Sequence, residues 1–160
     1  STGEILDLAV RIEQNGEAVY RDAIAMLSDP ELISLLNWMA DEEAKHAQWF
    51  IGLKDQLEAR AANPFVKEMS RELFNELLGE KSFSHKEVDF STVADVDELM
   101  AIFIEFEKDT ILFYEMLEPF IEDERTRADL RSIIAEENNH ISRLQDMMGS
   151  EMSLSVNRET

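Results

Sequence analysis

The feature that most constrains this 160-residue chain is a set of acids and histidines standing where only apolar side chains belong. Apolar residues recur at helical spacing along four stretches, and each stretch yields a heptad-like core stripe. The first stripe is Leu6, Ala9, Glu13, Gly16, Tyr20, Ala23 and Leu27, and the second is Leu32, Leu36, Met39, Glu43, His46, Phe50, Leu53 and Leu57. The third is Met100, Phe103, Glu107, Thr110, Tyr114, Leu117 and Ile121, and the fourth is Thr126, Leu130, Ile133, Glu137, His140, Leu144 and Met147. Two tyrosines aside, the only ionisable members of these 29 positions are Glu13, Glu43, His46, Glu107, Glu137 and His140. Each falls near the middle of its stretch, too far from an end for its side chain to reach water there.

Their spacing repeats. Glu13 and Glu43 are 30 residues apart, as are Glu107 and Glu137, and a tyrosine follows the first Glu of each pair by seven residues (Tyr20, Tyr114). Both later stretches carry Glu-x-x-His, as Glu43-Ala44-Lys45-His46 and Glu137-Asn138-Asn139-His140. That spacing puts both side chains on one helix face. The two halves read as copies offset by 94 residues, the pattern of two hairpins related by a pseudo-twofold axis.

Four carboxylates converging in a low-dielectric core would repel one another, and each would cost several kcal/mol to bury unpaired. No Lys or Arg occupies the stripes to neutralise them. Two divalent cations would balance the four charges, and neutral imidazoles would complete the coordination. A two-metal site held by the six residues is therefore expected, and carboxylate with imidazole suits iron, manganese or zinc.

The chain around the stripes reads as helix about 3–28, helix about 30–61, helix about 94–120 and helix about 124–148. Asp29 is placed to cap the second with Pro30 in its first turn, and Gly149 to stop the fourth. Asn63-Pro64 breaks the second helix and opens a shorter amphipathic stretch at about 64–79; residues 80–92 read as irregular. The first and last connections are tight, which predicts antiparallel hairpins. The middle one, about 62–93, is long enough to travel the length of a bundle. The expectation is an all-α four-helix bundle of two antiparallel hairpins joined by a long crossover, over 1–149, with a polar tail at 150–160.

Composition removes several alternatives. With no cysteine, disulfides, thiolate zinc sites, iron–sulfur clusters and Cys nucleophiles are excluded. Acidic residues outnumber basic ones 35 to 15, a net charge of −20 that repels a phosphate backbone. No apolar run approaches the roughly 18 residues of a membrane span, and the N-terminal stretch lacks a signal-peptide pattern. A cytoplasmic protein with neither nucleic-acid nor membrane partner is expected.

The segments Ile12-Glu13-Gln14-Asn15-Gly16-Glu17-Ala18-Val19-Tyr20, Glu42-Glu43-Ala44-Lys45-His46-Ala47, Glu107-Lys108-Asp109-Thr110-Ile111-Leu112-Phe113-Tyr114 and Glu136-Glu137-Asn138-Asn139-His140 together resemble the rubrerythrin-like branch of the ferritin-like superfamily. The resemblance covers about 1–149. It implies a ferritin-like bundle with a non-haem di-iron centre cycling between Fe2+ and Fe3+. Glu43 and Glu137 would bridge, Glu13 and Glu107 would be single-helix carboxylates, and His46 and His140 would each bind one iron. It further implies an oxidoreductase that reduces hydrogen peroxide or dioxygen while ferrous iron is oxidised. Only eleven polar-leaning residues follow Gly149, which argues against a ferritin cage, and a homodimer is expected. An iron-binding or storage protein and a non-enzymatic metal-dependent module are the alternatives.

Two departures bear on that reading. Rubrerythrins proper carry a rubredoxin-like domain with four cysteine ligands, and this chain has no cysteine, so an external electron donor protein is expected. Family members also place a second carboxylate one turn beyond the third-helix ligand, where this chain has Thr110. Around the six, Glu17 is a rival to Glu13, one turn away. Glu42 and Glu136 are expected to face outward or to orient the histidine rings. Tyr20 and Tyr114 are expected in the core, His85 on the surface, and Met147, Met148 and Met152 in packing or fraying rather than copper binding.

Overall fold

The structure, a computed structural model, describes residues 2–59, 90 and 93–149. Four α-helices and no strand form among them: α1 (Thr2–Ile24), α2 (Pro30–Ala59), α3 (Val96–Leu117) and α4 (Glu124–Met147). A 3-10 turn, Glu118–Phe120, with Pro119 inside it, follows α3. The amphipathic stretch 64–79, His85, Met152 and the tail at 150–160 lie outside the described residues.

Each turn is set by its own chemistry. The expected helix at 3–28 stops at Ile24, because Ala25, Met26 and Leu27 donate their N–H groups three residues back, to Asp22, Ala23 and Ile24. That is the tightened last turn of a helix end. Asp29 then caps α2, its Oδ1 accepting from the N–H groups of Glu31 (2.9 Å) and Leu32 (3.0 Å). Asp123 caps α4 in the same way, its Oδ2 accepting from the Thr126 N–H at 2.9 Å. Asp95 caps α3, its Oδ1 accepting from the Glu98 N–H (2.8 Å), and the Glu98 Oε2 reaches back past the cap to accept from the Ala94 N–H (2.9 Å).

Two compact units are present. Among the described residues the first comprises 2–21 and 38–59. In it α1 and α2 run antiparallel, with Asp7 paired to Lys54 (2.8 Å), Glu13 facing His46 (3.5 Å) and Arg21 paired to Asp41 (2.9 Å). The second comprises 22–37, 90 and 93–149. There α3 and α4 run antiparallel, with Asp97 Oδ1 accepting from the Gly149 N–H (2.8 Å), Glu107 facing His140 (3.5 Å) and Glu118 paired to Arg131. Arg127 closes the turn by donating from Nε and Nη2 to the Ile121 carbonyl (3.1 and 2.7 Å). Gly149 adopts φ +79, the left-handed conformation that ends a helix and that glycine reaches without a Cβ penalty.

The core stripes are buried along all four helices, with Leu57, Thr126 and Met147, all near helix ends, as the half-buried exceptions. No helix among the described residues is long and apolar enough to cross a membrane.

Candidate metal centre

In the first unit Glu13 comes from the middle of α1, and Glu43 and His46 come from adjacent turns of α2. Exposure is 0% for both carboxylates and 3% for the histidine. One ligand-type atom from each lies within 4.8 Å of those of the other two, and His46 Nδ1 is 3.5 Å from Glu13 Oε2. In the second unit Glu107 on α3 meets Glu137 and His140 on α4, all three fully buried. His140 Nδ1 lies 3.2 Å from Glu137 Oε2 and 3.5 Å from Glu107 Oε1. Each antiparallel pairing therefore brings two carboxylates and one imidazole to one point. The two triads use the same three sequence positions, offset by 94.

The electrostatics of the second triad follow from burial. Desolvation, then the charge of Glu137, pushes the Glu107 carboxyl up to about 8. Burial alone would lower His140, but hydrogen bonding to Glu107 and Glu137 and their negative charge outweigh it and carry the imidazole up to about 9. The triad thus holds protons at neutral pH that a cation would replace.

The donor set fits a divalent metal. Two carboxylates offset the charge of one M2+ ion, a neutral imidazole adds a donor without charge, and all three are already gathered out of water. Ligand binding of this kind releases protons and gathers free energy into the fold.

The neighbours fall into place around the triads. Glu17 points away, part-exposed, with its Oε1 3.7 Å from Arg21 Nε, so Glu13 and not Glu17 stands beside His46. Thr110 is buried and carries no charge; its hydroxyl donates to the Phe106 carbonyl at 3.0 Å, one turn back along α3. Tyr20 and Tyr114 are fully buried, and the Tyr114 ring packs against Phe113 at 5.7 Å between centroids. Glu136 is exposed, and Glu42 is half-buried with its Oε1 3.5 Å from Lys45 Nζ. The outward set Trp38, Lys45 and Trp49 on α2 has Ser132, Asn139 and Arg143 at the matching places on α4, a difference visible once the halves are aligned.

The family model described as Rubrerythrin matches residues 4–148, which includes all six residues of the triads. The chain belongs to the rubrerythrin family. No curated protein sequence matches it significantly. Among solved structures it is similar to a crystal structure from Thermotoga maritima described as a candidate ferritin-like diiron-carboxylate protein, with a TM-score of 0.67 and 24% identity over 91% of this chain and 92% of that one. That likeness shows the fold: the helices are arranged as in ferritin-like proteins. A buried carboxylate–histidine cluster in a rubrerythrin-family chain of this fold fits an iron-binding protein.

Proposed function

We propose that the protein is a non-haem di-iron oxidoreductase that reduces hydrogen peroxide or dioxygen. The observation that carries the reading is the pair of matched triads, Glu13–Glu43–His46 and Glu107–Glu137–His140, each buried and each gathering two carboxylates and one imidazole. Membership of the rubrerythrin family, and a structural likeness to a protein described as diiron-carboxylate, support iron over manganese or zinc. Each triad would hold one iron through its two carboxylates and its imidazole. Two ferrous ions, when bound, supply the two electrons that convert peroxide to water.

The buried carboxylates and imidazoles of the triads would hold the ions, and their burial excludes bulk water. Helices fixed by Asp-capped turns keep the donors in place. Thr110 leaves a small neutral group one turn from Glu107, where family members place a further carboxylate, so the reaction here proceeds without that charge. Residues 1–160 contain no cysteine, so electrons to restore the ferrous state would enter from a donor outside them.

The test is anaerobic. Protein loaded with two ferrous ions per chain is mixed with peroxide and followed in the near ultraviolet. Oxidation within seconds, with one peroxide consumed per two irons, is expected. Iron that stays ferrous for minutes sinks the reading.

A further inference from the structure

The Glu-His pairs of the triads are shut away from solvent, and a cation must still reach them. On α2 one group spans that distance. Glu42 lies one turn before His46, with its side chain 16% exposed, and a carboxylate oxygen of Glu42 lies within 4.8 Å of a His46 ring nitrogen. The same imidazole also lies within 4.8 Å of the donors of Glu13 and Glu43, and its side chain is only 4% exposed. His46 is thus shared between the buried triad and a carboxylate that water touches. A cation is already present there: Lys45 Nζ sits 3.5 Å from Glu42 Oε1, on a side chain 73% exposed. The corresponding position in the second half is Asn139, which carries no charge.

We propose that Glu42 is the first binding position for a divalent cation bound for His46, and that the Lys45 ammonium occupies it until the cation displaces it. The inference rests on the metal-binding reading above. The negative field of the whole chain, at −20, raises the local cation concentration. Glu42 gives it a point of attachment, and the shared histidine gives it the next one inward. An exposed ion pair at this spacing is weak, so Lys45 slows exchange without blocking it.

Stopped-flow uptake of Co2+ by metal-free protein tests this, followed through the visible bands of the bound ion, with the final stoichiometry read separately. Glu42→Gln should slow uptake at least about threefold, the fold-change of a lost exposed charge contact, while stoichiometry stays as in the wild type. Lys45→Asn should speed it, by no more than about fivefold, since the pair it removes is solvent-screened. Glu105→Gln is the control: it removes the same charge from a pair of the same kind, with Lys108 at 3.4 Å on the outside of α3, and should leave uptake unchanged. Uptake by Glu42→Gln as fast as wild type, or equal slowing by Glu105→Gln, overturns the proposal and leaves the triads standing. Loss of stoichiometry in Glu42→Gln makes Glu42 a resident ligand and also overturns it. If the wild type takes up no Co2+, both this proposal and the reading beneath it fall.

Discussion

Glu107 and His140 each bind a proton more tightly in the folded chain than in the unfolded one. Glu107 is raised from 4.5 to about 8 and His140 from 6.5 to about 9, and both shifts act in the same direction on stability. The stability Glu107 contributes as a neutral acid is complete below pH 4.5 and is lost as pH rises through 8. That of the protonated His140 is complete below pH 6.5 and is lost as pH rises through 9. The metal-free protein should therefore melt lower at pH 9 than at pH 6.5, and Glu107→Gln should flatten that slope; calorimetry on chelated samples would check both. An unchanged slope in the variant would remove Glu107 from the account. The six residues of the triads were legible from sequence because polar side chains on an apolar stripe have so few physical excuses. Between Glu13 and Glu17, one turn apart, the repeat ranks Glu13 first, since the position matching Glu17 is Ile111. The contact of Glu17 with Arg21 agrees with that ranking. Lys45 was overlooked because a lysine on a helix surface is ordinary until the matching Asn139 is set beside it.

At the scale of elements, the two late helices start alike. Asp29 and Asp123 are also offset by 94, and each caps the helix that carries Glu-x-x-His. Replacing either by Ala should cost about 1 kcal/mol, the usual value of such a cap, measured by urea unfolding of metal-free protein. The two losses should be similar, because each carboxylate accepts two hydrogen bonds: Asp29 from the Glu31 and Leu32 N–H groups, and Asp123 from the Thr126 N–H and hydroxyl. The stripes placed the helices and their inward faces correctly, but not how wide those faces are. Ile5, Leu8 and Ile12 on α1, Leu35, Ala40 and Ala47 on α2, and Leu99, Ile104, Ile111 and Phe113 on α3 are buried outside the stripes. A strict heptad marks a narrow seam, whereas a helix packed against more than one neighbour buries a wider arc. Helix ends were the other weak point, since the early stop of α1 depends on backbone hydrogen bonds and no stop residue announces it.

For the whole molecule, charge and metal oppose each other. A chain at −20 repels itself, and the buried acids add to that cost, so its folded state is expected to depend on cations. Anaerobic ferrous iron or Co2+ at a hundred times its dissociation constant should stabilise the fold by about 2.7 kcal/mol per site, seen as a rise in Tm that chelator reverses. A Tm indifferent to metal would mean that the triads bind none. The repeated hairpin has one more consequence, and it concerns what can change. Two identical hairpins meeting as separate chains would have to accept every substitution twice, once on each side of the symmetry. Here the pattern occurs twice within one polypeptide, so a residue can vary in one copy while its twin is kept. Lys45 against Asn139, Trp49 against Arg143 and Glu17 against Ile111 are differences of that kind. One copy is thereby free to keep its side chains while the other acquires a new task.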